Sequence, residues 1–244
     1  MNIEAVVWDV DDTIFDYTAA DRAGMRAHLD AEGLLGAYES VDQALARWRE
    51  VTDQQWARFS AGESDWEGQR RERVRVFLGE RLSDAEADAW FQRYAGHYEA
   101  SWALFPDVVP ALDALAASHR HAVLSNSSLQ SQDRKLRVLG VRDRFESVLC
   151  AAELGVSKPA AAAFHAACDA LALPPHRVAY VGDHPEIDGR GAADAGLLSV
   201  WIDRGGAHTV VDGVAPGPRR IASLAELPAI LGADTRFGAP STFR

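Results

Sequence analysis

Short apolar runs punctuate this chain. Residues 5–8, 121–125, 147–150, 177–181 and 198–202 each carry a cluster of aliphatic, β-branched or aromatic side chains and run into small or polar residues. Runs of that length predict strands buried on both faces. Between them, apolar positions recur at helical spacing over 109–117, 130–139, 160–171 and 189–195. Pro159 opens one of these helices and Gly140 closes another. Strands alternating with helices imply right-handed βαβ units, hence an α/β fold with a doubly wound, mostly parallel, Rossmann-like sheet.

One stretch breaks the alternation. Residues 17–103 hold almost no β-branched runs, and the first proline of the chain is Pro106. The stripes Val41, Leu45, Trp48, Trp56, Phe59, then Val74, Phe77, Leu78, then Trp90, Tyr94, Tyr98 lie close to helical spacing. Ser83 followed by Glu86 has the form of a capping box. This predicts roughly four or five helices in a separate all-helical unit inserted into the α/β core. The expected division is 1–16 with 104–232 for the core, 17–103 for the insert, and 233–244 for a loose or surface-docked tail.

Composition narrows the function classes. A formal net charge of -11 without a Lys/Arg cluster argues against a nucleic-acid polymer as partner. A chain this acidic can hold an anion only where positive charge is concentrated locally. Cys150 and Cys168 have no metal-ligand spacing and read as reduced core thiols. The N-terminus has no basic stretch, and no apolar run reaches the about eighteen residues of a membrane span. The expectation is a cytoplasmic protein with no membrane partner. Nothing in the sequence specifies its oligomeric state.

The polar residues that matter gather where strands end. The first strand delivers Asp9 and Asp11, which an extended backbone would set on one face, followed by Asp12 and Thr13. Two close carboxylates repel unless a cation lies between them, and a hard divalent cation, Mg2+ above all, suits oxygen ligands. The second strand ends in Ser125-Asn126, Lys158 follows the third, and the fourth ends at Asp183 with Asp188 five residues on. Each alone has an ordinary reading as a cap, a solvated charge or a turn. All four in order, at the end where doubly wound sheets bind ligands, point to one site.

As a set, Asp9-x-Asp11-x-Thr13, Leu124-Ser125-Asn126, Ser157-Lys158-Pro159 and Gly182-Asp183-x4-Asp188 resemble the four motifs of the haloacid dehalogenase superfamily, and the helical insert is similar to that family's C1-type cap. The resemblance implies a phosphatase in which Asp9 forms an aspartyl-phosphate and Asp11 serves as acid and then base, with Thr13 and Lys158 also in the catalytic set. It implies Mg2+ held by Asp9, the backbone carbonyl of Asp11, and Asp183, with Asp188 orienting Lys158 or a bound water. Ser125, the Asn126 amide and Lys158 would bind the phosphate oxygens. Two positions depart from the pattern: Asp12, where many members carry glycine, and His184-Pro185-Glu186 inside the last motif, where His184 could touch substrate or lie on an exposed loop.

Asp11 favours a phosphatase over the family's carbon–halogen hydrolases, which lack that second aspartate. β-Phosphoglucomutase-like phosphotransferases share all four motifs. A receiver-type phospho-accepting module is the reading from another class, disfavoured by motif order and by length. The segment 56–62, with Arg70, Arg71 and Arg73, is similar to caps of nucleotidase-like and sugar-phosphatase-like members. The implied substrate is a small-molecule phosphate ester, a nucleoside monophosphate or a sugar phosphate. Trp56 and Phe59 would then line either the pocket or the core of the insert.

Overall fold

The structure is a computed structural model that describes residues 2–205 and 217–232. In chain order its elements are β1 (Ala5–Trp8), α1 (Tyr17–Ala31), α2 (Val41–Ser60), α3 (Trp66–Leu78), α4 (Asp84–Ala100), α5 (Val108–Leu115), β2 (Arg120–Ser125) and α6 (Leu129–Val138). Then follow β3 (Ser147–Cys150), α7 (Ala151–Leu154), α8 (Ala161–Ala170), β4 (Val178–Gly182), α9 (Gly191–Asp194), β5 (Leu198–Ile202), β6 (Arg219–Ile221) and α10 (Leu227–Leu231). The chain divides into two compact units, Met1–Asp16 with Leu104–Arg244, and Tyr17–Ala103.

The first unit is a parallel sheet in the order β3-β2-β1-β4-β5-β6. β1 lies inside it, and all four of its residues are wholly buried, as expected of an all-apolar strand covered on both faces. Ala5, Val7, Leu124 and Tyr180 pack with Phe164 and Ala167 of α8, and with Leu171 just after it, into one core. The strand order reverses between β1 and β4, so the switch point falls where Asp9 and Asp183 emerge.

The doubly wound expectation holds, with additions at the edges. β6 was not anticipated, because Arg-Arg-Ile is short and only Ile221 is buried. The same holds for α7 and α10, which are four and five residues long. The helix expected at 189–195 begins earlier, with one wide turn over Pro185–Arg190 that leads into α9. The expected tail at 233–244 lies outside the described residues. No helix among them is long and apolar enough to cross a membrane.

The second unit is built by α1 to α4. Met25, Leu29, Trp48, Val74, Phe77, Trp90 and Tyr94 form its core, which accounts for most of the aromatic stripes. Ser83 and Glu86 make the predicted capping box at the start of α4. A polar thread crosses this core. The Trp48 indole donates to the Tyr94 hydroxyl (3.1 Å), which donates to the fully buried Asp21 (3.0 Å). Trp56, Phe59 and Trp66 form a separate aromatic group in which Trp56 is 39% exposed.

His28 of α1 is completely buried against Trp90, Tyr94 and His97, and neither ring nitrogen has a hydrogen-bond partner among the described residues. Burial pushes its pKa down from 6.5 to about 4, against the opposing pull of Glu32. Between those two values the unfolded chain binds the proton and the folded chain does not. The stabilisation is therefore complete above about pH 6.5 and is lost as the pH falls toward 4. Replacing His28 by Phe removes this term. Urea denaturation should show the variant losing about 2 kcal/mol less stability than the wild type between roughly pH 7 and 5.

Candidate active site

β1 ends at Trp8, but the Asp9 amide still donates to the Val181 carbonyl of β4 (2.9 Å), which holds the first aspartate in line with the sheet. The chain then folds back tightly. The amides of Ile14 and Phe15 both donate to the Val10 carbonyl, and the Asp12 amide donates to Phe15 (2.8 Å). This turn puts Asp12 at φ +55, in the left-handed region that glycine occupies without strain. The unusual residue is thus accommodated at a backbone cost.

Lys158 occupies the centre of the site. Its ammonium has three N–H groups and donates to three acceptors, Asp9 Oδ1, Asp188 Oδ1 and the Tyr180 hydroxyl, each at 2.7 Å. Tyr180 in turn donates to Asp188 Oδ1 (2.9 Å), and the His184 amide donates to Asp188 Oδ2 (3.0 Å). The lysine is buried. Burial opposes its charge, but Asp9 and Asp188 outweigh that and hold its pKa above the ordinary lysine value. Its backbone is fixed separately. The Asn126 side chain donates to the Lys158 carbonyl (2.9 Å) and accepts from the Lys158 amide (2.8 Å).

A second set of contacts surrounds Asp11, which is half-buried. Gln132 Nε2 donates to Asp11 Oδ2 (2.8 Å) and to Ser125 Oγ (3.1 Å). The Lys135 ammonium pairs with Asp11 Oδ1 and lies 4.4 Å from the centre of the Phe15 ring. Both partners come from the inner face of α6, which Ser128 caps by accepting from the Ser131 amide.

Asp9, Asp183 and Asp188 each bring one carboxylate oxygen within 4.8 Å of the others. Burial, reinforced by Asp188 and Asp12, pushes Asp183 up to about 7. Burial likewise raises Asp9, and Lys158 only partly offsets it. Three carboxylates facing one ammonium leave negative charge in excess in a poorly solvated place. An all-oxygen donor set in that condition fits a hard divalent cation.

The site therefore brings together Asp9, Lys158, Asp183 and Asp188, with Asn126 behind the lysine and Ser125 linked to Asp11 through Gln132. Thr13 stands apart. It is wholly buried, and its hydroxyl has no hydrogen-bond partner among the described residues. His184 acts as a cap, since its Nδ1 accepts from the amides of Glu186 and Ile187. The sequence reading missed Tyr180, Gln132 and Lys135. A tyrosine inside a strand reads as core. For the other two, the available signal was Gln132, Lys135 and Leu136 sharing one helical face behind a cap at Ser128.

Comparison with known proteins gives the family and the fold. The family described as haloacid dehalogenase-like hydrolase matches residues 3–196. A phosphoserine phosphatase of Thermus thermophilus is 30% identical over 230 residues, covering 83% of this chain and 90% of that protein. An N-acylneuraminate-9-phosphatase of Rattus norvegicus is 27% identical over 245 residues, covering 94% of each. Among solved structures, the HAD-hydrolase YfnB from Bacillus subtilis superimposes with a TM-score of 0.72 at 21% identity, covering 95% of this chain and 99% of that one. The chain belongs to the haloacid dehalogenase-like hydrolases.

Gly182 has a steric duty in this site. A Cβ there would lie 2.4 Å from Asp188 Cγ and 2.6 Å from its Oδ2. Gly182→Ala must displace Asp188 and with it one of the three acceptors of Lys158. The expected cost is about 2–3 kcal/mol of stability, read from thermal or urea denaturation. A variant as stable as the wild type would show that Asp188 can move freely.

Proposed function

We propose that this protein is a Mg2+-dependent phosphatase that hydrolyses a small-molecule phosphate monoester through an aspartyl-phosphate on Asp9. The observation that carries the reading is Asp9 paired with a buried lysine beside two further carboxylates. The Asp9 carboxylate attacks phosphorus, and the departing alkoxide takes its proton from Asp11. Water then attacks the phosphorus, the bond to Asp9 breaks, and Asp11 takes the proton that water loses. Ser125, the Asn126 amide and Lys158 bind the phosphate oxygens, so the charge of the transferring group is matched by fixed donors. Asp9, Asp183 and the Asp11 backbone carbonyl would hold Mg2+, with Asp188 beside them. The ion, when bound, supplies the positive charge that the carboxylates lack.

The helical unit would act as the cap that sets specificity, with a nucleoside monophosphate or a sugar phosphate as substrate. The relatives above, named for phosphoserine and N-acylneuraminate 9-phosphate, support a small phosphate ester. The half-exposed Trp56, grouped with Phe59 and Trp66, supports the version in which a flat base is stacked. Asp11 speaks against carbon–halogen cleavage, which needs no proton donor to an alkoxide.

The test is turnover of p-nitrophenyl phosphate with Mg2+ or with a chelator, beside Asp9→Asn and Asp11→Asn. The expected result is Mg2+-dependent release of p-nitrophenol, reduced at least about a thousandfold in the Asp9 variant. Folded wild type that releases nothing in the presence of Mg2+ would overturn the reading. A panel of nucleotides and sugar phosphates then separates the two substrate classes.

A further inference from the structure

Of the 25 Lys and Arg residues in this chain only two are lysines, Lys135 and Lys158. Lys158 belongs to the site described above. Lys135 belongs to nothing the four motifs account for, yet it is 4% exposed in a chain whose remaining Lys/Arg positions, Lys158 apart, are all arginines. A buried ammonium costs several kcal/mol unless it is paired, so its position needs a reason. Arginine and lysine are not interchangeable in such a place, since a guanidinium is a wide planar fork and an ammonium a compact charge.

We infer that Lys135 and Gln132 are positioning residues that clamp the two oxygens of Asp11 and aim its carboxylate at the water that hydrolyses the aspartyl-phosphate. The inference rests on the phosphatase reading. Its geometry is specific. One donor reaches each Asp11 oxygen, Lys135 to Oδ1 and Gln132 to Oδ2. Both donors stand one turn apart on α6, whose inner face is buried. Gln132 also donates to Ser125 Oγ, so one fully buried amide spaces the proton-transfer residue from the end of β2. The Phe15 ring closes over the ammonium and keeps water from taking a donor's place. The Asp11 side chain remains 36% exposed, so the face away from α6 is open.

Each carboxylate oxygen keeps a second lone pair while it accepts one hydrogen bond. The clamped group can therefore still take a proton. In the hydrolytic step the water oxygen bonds to phosphorus, and the phosphorus–oxygen bond to Asp9 breaks with its electron pair returning to Asp9. The proton lost by water goes to Asp11, which passes it to the alkoxide of the next substrate. A carboxylate free to rotate would meet that water less often in line, and the phosphorylated enzyme would accumulate.

The experiment uses dinitrophenyl phosphate, whose leaving group needs no proton, so that only the second step calls on Asp11. The readouts are steady-state turnover and the pre-steady-state release of dinitrophenolate, with Mg2+ present. For Lys135→Met the expected result is kcat and KM both lowered by about tenfold or more, kcat/KM within about twofold of the wild type, and a burst approaching about one equivalent per site. A merely structural role would lower kcat/KM and give no burst. That pattern, or unchanged kinetics, overturns the inference. Should the Met variant fail to fold, Gln132→Met removes the other donor of the clamp: a lowered kcat with a burst supports the inference, and an unchanged kcat without a burst overturns it. If the wild type itself does not turn over this ester, the phosphatase reading fails, a result distinct from a wild type that turns over and a variant that matches it.

Discussion

A lysine ammonium buried in a protein core must find three acceptors or lose its charge. In this molecule Lys158 finds them, and the rest of the site follows from how. Asp9 stands at the end of β1, Tyr180 lies within β4, and Asp188 lies on the wide turn after β4. Those acceptors meet only because β1 and β4 are neighbours, although the strands' first pairing positions, Ala5 and Val178, lie 173 positions apart in the chain. Desolvating the lysine costs several kcal/mol and desolvating each carboxylate a similar amount, so neither is tolerable without the other. The arrangement is thus better understood as a specification than as a source of stability. It works in one register of the sheet and in no other.

The surrounding contacts keep that register from being disturbed. Asn126 fixes the Lys158 backbone from β2's end, while Gly182 leaves the space that Asp188 fills. On the other side of the first motif, Arg204 performs a related task. Its guanidinium donates to the Thr13 carbonyl (2.9 Å), grips both oxygens of Asp107 and lies 3.7 Å from the centre of the Phe105 ring. Phe15 and Leu104 bridge one another, and the Phe105 amide donates to Ile14. The segment that leaves the sheet after Asp9 is thereby tied to the segment that returns before α5. The loop carrying Asp11 is held at its base by β-type pairing and by a charged, aromatic-stacked side chain.

What could be read from the sequence was what strands and strand ends impose. Short apolar runs stopping at Asp9, Ser125 and Asp183 report both the sheet and the edge where its chemistry gathers, because burial demands the run and solvent or ligand demands the stop. The partners that complete the chemistry left little trace for a physical reason. Tyr180 satisfies the strand's need for a bulky core residue with its ring, so its hydroxyl leaves no mark on the pattern. Gln132 and Lys135 sit in a helix rich in polar and charged residues, where only the face they share with Leu136 behind the Ser128 cap set them apart. β6 was missed because a strand at the sheet's edge needs only one buried residue, Ile221. The turn at Asp12 could be suspected from the sequence, but its positive φ came only with the backbone.

The pairing of lysines with aspartates explains how one short loop keeps two carboxylates of different character. Asp9 and Asp11 are two residues apart in that loop. Each has its own ammonium, brought by a different element: Lys158 after β3 for Asp9, Lys135 on α6 for Asp11. The two pairs differ in their access to solvent. The Asp9 side chain is 10% exposed, against 36% for Asp11. In the proposed mechanism Asp9 is the nucleophile and benefits from a dry setting, where its charge is unscreened and its orientation fixed by a neighbour that would also meet the phosphate. Asp11, proposed to exchange protons with alcohol and water, needs an open side and a held side at once. The same chemical pair, a carboxylate and an ammonium, meets both demands because the depth at which each is set differs.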